Sequence, residues 1–60
     1  MAKYKVIYRD NKEEIVDASN VEVTSTVVEF TGYIDSKDFS GFGLVLIVPC
    51  DRVAKIKLVE

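Results

Sequence analysis

Apolar and polar positions alternate along this chain at a period of two, and the first clean instance is "KYKVIYR". In an extended chain from Lys3 to Arg9, Tyr4, Val6 and Tyr8 share one face. Lys3, Lys5, Ile7 and Arg9 share the other, which predicts a first strand. "RDNKE" follows, and Asp10 and Asn11 tolerate turn and left-handed conformations, so it reads as a hairpin tip. A second strand is predicted over Lys12 to Ala18, with Val16 and Ala18 on one face and Ile15 on the other. Ser19 and Asn20 interrupt the pattern. "VEVTSTVVEFTGYI", residues 21–34, admits two short strands bent at Thr24–Ser25 or one long curved strand. Within it Val28, Phe30 and Ile34 alternate with Glu29, Thr31 and Tyr33.

"DSKDFSGFG", residues 35–43, is rich in Asp, Ser and Gly and reads as a mobile loop. A further strand is predicted over Leu44 to Val48. Pro49 ends its pairing, because it has no N–H to donate. "PCDR" reads as one short 3₁₀ turn. The last predicted strand runs from Val53 to Val59, with Ala54, Ile56 and Leu58 on one face and Lys55, Lys57 and Val59 on the other. No window carries a sustained i, i+3, i+4, i+7 apolar stripe with caps, so no long helix is expected. Eighteen residues are Val, Ile or Leu and six more are aromatic, which is strand composition. The expectation is an all-β fold over residues 1–60. It would be a single small antiparallel barrel of five to six strands, SH3-like, with a short 3₁₀ turn before the last strand. Closure removes the edges that a short sheet exposes. The "ALYDY"-type motif of peptide-binding SH3 domains is absent.

So short a chain has a small core. A chain of 60 residues buries only about 60% of its unfolded surface. Its stability is expected to be a few kcal/mol, at about 0.05–0.15 kcal/mol per residue. Disulfides, a metal or oligomerisation usually reinforce such scaffolds. With one cysteine there is no internal disulfide, and with no histidine ordinary zinc sites are excluded. Oligomerisation remains. No apolar run approaches a membrane span, and "MAKYKVIYRD" has no apolar signal region. With the lone thiol, this leads to the expectation of a cytoplasmic protein that does not engage membranes.

The net charge of −2 argues against a general nucleic-acid partner, although the charges are unevenly placed. Residues 1–12 carry Lys3, Lys5, Arg9 and Lys12 against Asp10. Residues 13–38 carry seven acidic side chains against Lys37. In an SH3-like barrel the first and last strands are neighbours, so Lys3, Lys5, Lys55 and Lys57 would form one outer basic patch. Such a patch is either solvated or awaits an acidic surface. The stacking aromatics and phosphate-binding cations of a single-strand binder must share a groove. Here period two sends Tyr4 and Tyr8 to the face opposite Lys3, Lys5 and Arg9.

Candidate chemistry is thin. Cys50 has no histidine to activate it and stands between Pro49 and Asp51, which suits a small, partly buried hydrophobe. Gly41-Phe42-Gly43 precedes a strand, whereas phosphate-cradling glycines follow one and open a helix. Asp35, Ser36, Asp38 and Ser40 do not follow the order of a calcium loop and read as turn formers. Phe39 and Phe42 stand in a polar segment, either folded back as a lid on the core or exposed as anchors for a partner; the lid is the favoured reading. No enzyme, cofactor or metal site is expected.

The sharpest feature is the run of six apolar residues from Leu44 to Pro49. Alternation assigns Leu44, Leu46 and Val48 to one side and Val45, Ile47 and Pro49 to the other. One trio must lie outside a closed barrel. Leaving each such side chain exposed rather than buried costs about 1.5–3 kcal/mol. The sum rivals the stability of the whole domain, and soluble monomers rarely tolerate such a patch. Either the Phe39–Phe42 loop or the 19–26 segment covers it, or a second copy does, with Val45 and Ile47 central and Leu44 and Leu46 beside them. The second reading leads: a non-enzymatic interaction module that self-associates into a homo-oligomer, with another protein partner also open to it. Two alternatives stand behind it: a nucleic-acid-binding barrel using the lysine patch, and a small-ligand-binding protein of phage or prophage type.

Overall fold

The computed structural model describes residues 2–59 and is all-β. Strands β1 (Ala2–Tyr8), β2 (Glu13–Ala18), β3 (Asn20–Val23), β4 (Val27–Asp35) and β5 (Ser40–Pro49) are followed by a 3₁₀ turn (Cys50–Arg52) and β6 (Val53–Leu58). Two three-stranded antiparallel sheets result, in the orders β2-β1-β6 and β3-β4-β5. Only Ser19 separates β2 from β3, and its N–H donates to the Thr31 carbonyl at 2.8 Å. One chain segment therefore passes from the first sheet into the second through a bend. No ladder joins β5 to β6, so the sheets do not close into a barrel.

The turns follow from local chemistry. Asn11 takes a positive φ of 71°, and the Asp10 carboxylate accepts the Lys12 N–H at 3.1 Å. Between β3 and β4, the Thr24 hydroxyl accepts the N–H groups of Thr26 and Val27 at 3.3 and 3.0 Å. The ambiguous 21–34 segment is thus two strands joined by a tight turn. The 3₁₀ turn stands where it was expected, after Pro49.

Val6, Val16, Ala18, Val28 and Phe30 form the buried core, with Tyr4, Tyr8, Val21, Leu46, Val53 and Ile56 packed around it; Val48 is buried too. Both sheets contribute their inner faces. Tyr4 leans on Phe30 with ring centroids 5.9 Å apart and planes tilted by 60°, the edge-to-face geometry that aromatic pairs prefer.

Three expectations need correction. Residues 35–43 are not a nine-residue loop. The ladder continues through Tyr33–Phe42, Ile34–Gly41 and Asp35–Ser40, which leaves only residues 36–39 as the turn. Ser36 closes it, accepting the Phe39 N–H at 3.1 Å while its hydroxyl donates to the Phe39 carbonyl at 2.9 Å. Polar and glycine-rich composition there marks a hairpin tip that little else covers. Second, alternation breaks in β5. Phe30 faces Leu46, but Thr31 faces Leu44, so Val45 is an extra bulged residue. The bulge turns Leu44 to the outer face and separates it from Leu46 and Val48. Third, a matching irregularity in β6 puts Ile7 opposite Lys55 and Tyr8 opposite Val53, so Ala54 is extra and Val53 turns inward in its place.

Candidate interaction surface

The outer face of the β3-β4-β5 sheet is graded from polar to apolar. Cross-strand register puts Val27 opposite Pro49, Glu29 opposite Ile47, Thr31 opposite Leu44 and Tyr33 opposite Phe42 on this face. On the β3 side Asn20 and Glu22 face Thr31 and Glu29. Moving across to β5, charge disappears and an apolar stripe takes over. Its side chains are well exposed: Tyr33 53%, Phe42 66%, Leu44 49%, Val45 37% and Ile47 48%. Leu46, placed beside Val45 and Ile47 in the sequence reading, instead packs against the core.

Nothing among the described residues covers the stripe. The 19–26 segment forms β3 and its turn, on the far side of β4 from β5. Phe39 and Phe42 are exposed and do not form the expected lid. Phe42 lies in β5 and belongs to the stripe itself. Phe39 lies over the strand backbone, and a Cβ added at Gly41 would meet its ring at 3.3 Å. Gly41, with φ of 156°, is thus required by a close approach. Tyr33 is held across the hairpin by a 2.6 Å hydrogen bond between its hydroxyl and that of Ser40.

The β2-β1-β6 sheet presents a different exterior. Lys5 stands opposite Lys57, and Ile7 opposite Lys55, so the first and last strands do bring lysines together. Carboxylates on β2 answer part of that charge. Lys3 lies 3.7 Å from Asp17 and Lys5 lies 3.5 Å from Glu13. Lys55 and Lys57 make no ion pair among the described residues. Lys5 facing Lys57 is unfavourable in itself, and the Glu13 contact offsets it.

A polar corner that sequence reasoning missed joins the two hairpin ends to the 3₁₀ turn. Arg9 donates from its backbone N–H to the Arg52 carbonyl at 3.0 Å and from Nε to the Asp51 carbonyl at 2.8 Å. The Arg52 guanidinium stands 5.5 Å from the centre of the Tyr8 ring, a cation–π contact. The Tyr8 hydroxyl donates to Glu14 at 2.6 Å, and this bond, aided by desolvation, raises its pKa above the usual tyrosine value. Shallow depressions of about 210 and 560 Å³ flank Arg9 here; the larger is lined by Ser25, Thr26, Pro49, Cys50 and Asp51 as well. Cys50 is half-buried, and its thiol donates to the Thr24 carbonyl at 3.5 Å. The thiol thus anchors the β3–β4 turn to the 3₁₀ turn. Arg9 and Asp51 are 42 positions apart, a separation that no strand or helix periodicity links, so the sequence carries no signal of their contact.

Among the described residues no cluster of three metal-ligating side chains occurs, and no helix is long and apolar enough to cross a membrane. No family model, curated protein or solved structure matches the chain.

Proposed function

We propose that the protein is a non-enzymatic interaction module that self-associates through the outer face of β4 and β5. The observation that carries this reading is the uncovered stripe of Phe42, Leu44, Val45 and Ile47, flanked by Tyr33. Four aliphatic or aromatic side chains at a third to two-thirds exposure, adjacent on one face, are what an interface leaves bare in a single chain. The architecture fits an SH3-like reading in its order of strands: a bent second strand shared by two sheets and a 3₁₀ turn before the last strand. A cytoplasmic setting suits the free thiol.

Nucleic-acid binding through Lys3, Lys5, Lys55 and Lys57 is the weaker reading, because two of the four lysines already face carboxylates. The test is a pair of variants followed by sedimentation and circular dichroism. Ile47→Lys and Val45→Lys, both at exposed positions, are expected to give folded monomers where the wild type is a dimer or larger. Variants with unchanged mass would overturn the reading. Binding to single-stranded oligonucleotides with a steep salt slope would favour the lysine patch instead.

A further inference from the structure

The two sheets have four edge strands, and they are not equally protected. β2 carries Glu13, Glu14 and Asp17. β6 carries Lys55 and Lys57. β3 is four residues long and carries Glu22. β5 is ten residues long, "SGFGLVLIVP", and has no charged residue at all. Charges, especially lysines, and shortness are how natural sheets stop their edges from pairing with other chains. Only the bulge at Val45 and the terminal Pro49 interrupt β5. At about 3.3 Å per residue the strand spans roughly 33 Å. That is comparable to the longest dimension of the molecule, 32 Å. Among the described residues, β4 is its only ladder partner, and no backbone hydrogen bond ties residues 41–48 to anything else.

Resting on the self-association reading, we infer that the β5 edge pairs antiparallel with β5 of a second copy, making one continuous six-stranded sheet across a two-fold axis. The occupant follows from charge. Self-pairing of β2 would set carboxylates against carboxylates, and self-pairing of β6 lysines against lysines, whereas β5 meets itself without repulsion. A two-fold contact of this kind is closed, so it stops at a dimer.

The bulge also makes a definite register possible. In residues 40–44 the even positions face outward, since Phe42 and Leu44 pair with Tyr33 and Thr31. Beyond Val45 the odd positions do, since Ile47 and Pro49 pair with Glu29 and Val27. An axis between Leu44 and Val45 therefore sets Phe42 opposite Ile47 of the second copy and Gly43 opposite its Leu46. Outward side chains meet outward, inward meet inward, and the small Gly43 leaves space beside Leu46. Without the phase shift at Val45, this register would set outward side chains against inward ones.

The experiment is nuclear magnetic resonance on wild-type protein mixed from isotope-labelled and unlabelled copies, with amide exchange on the same sample and its mass from sedimentation. The inference expects a dimer with inter-chain backbone contacts between the two β5 strands and side-chain contacts between Phe42 and Ile47. It also expects protection at consecutive amides of residues 42–48 rather than at alternate ones, with the amides that point away from β4 slowed by at least about tenfold relative to those on the free edge of β6. A dimer with side-chain contacts only, and with alternate β5 amides exchanging as fast as the β6 edge, overturns edge pairing while leaving self-association standing. A monomer overturns both.

Discussion

The outer faces of the two sheets are built to opposite rules. On β2-β1-β6, aliphatic Ile7 and Ile15 are interspersed with Lys3, Lys5, Lys55, Lys57, Glu13 and Asp17, and every edge strand is charged. On β3-β4-β5, Glu22 lies on β3 and Glu29 and Asp35 on the central β4, whereas β5 carries no charge and is apolar from Phe42 to Pro49. Both sheets give the same kind of side chain to the core. The difference lies only on the outside: one exterior is finished for water and the other is not. An exposed aliphatic residue on its own means little; Ile15, at 53%, is more exposed than Leu44, Val45 or Ile47 in the stripe. Contiguity, together with the absence of charge at the adjoining edge, is what distinguishes the β5 side.

The largest effect tests what the two sheets share. Phe30 is fully buried between them and holds the Tyr4 ring. Phe30→Ala is expected to cost about 3–5 kcal/mol, on the scale of the whole stability of so small a domain. Thermal or urea unfolding should show little or no folded population. A cooperative transition within a degree or two of wild type would contradict the placement of the core.

The next effect separates the two exteriors. Leu44→Lys on β5 and Ile15→Lys on β2 make the same kind of change at similar exposure, 49% and 53%. Light scattering should report a monomer for Leu44→Lys and an unchanged mass for Ile15→Lys. Equal behaviour of the two variants would remove the distinction between the faces.

A smaller effect concerns the charged exterior. Lys57→Glu replaces a like-charged pair with Lys5 by an opposite one, and is expected to stabilise the fold by about 0.2–1 kcal/mol at low salt, with the gain shrinking as salt rises. Denaturant midpoints at two ionic strengths would check it.

The smallest concerns alkaline pH. The folded pKa of Tyr8 is raised because its hydroxyl donates to Glu14. The contribution of that bond is complete below the unfolded tyrosine pKa, about 10, and is lost as pH rises through the higher folded value. Stability above pH 10 should fall less in Tyr8→Phe than in wild type. Parallel curves for the two proteins would argue that the bond contributes nothing.

Most strands were legible in the pattern because one face of each is buried. Tyr4, Val6 and Tyr8 on β1, Val16 and Ala18 on β2, and Val28 and Phe30 on β4 all point inward as alternation predicts. The pattern failed where one extra residue was inserted. Val45 and Ala54 carry no signal of their own as bulges, and each shifts the phase of everything before it in the strand. That is why Leu44 was grouped with Leu46 and Val48, and why Val53 was not placed in the core. The 35–43 segment was misread for a different reason: a hairpin end with no neighbour needs no alternation, so glycine and serine can occupy strand positions there. The site was half legible. Six consecutive apolar residues announced a surplus face, but only the register showed that Phe42 and Leu44 extend it.

Coverage of the β5 side by a second copy is the central claim. Sedimentation equilibrium of the wild-type chain, from micromolar to millimolar concentration, measures this directly. The expected result is a species of twice the 6.7 kDa chain mass that dissociates on dilution. A single species of 6.7 kDa across the whole range, with the stripe still exposed, would contradict it.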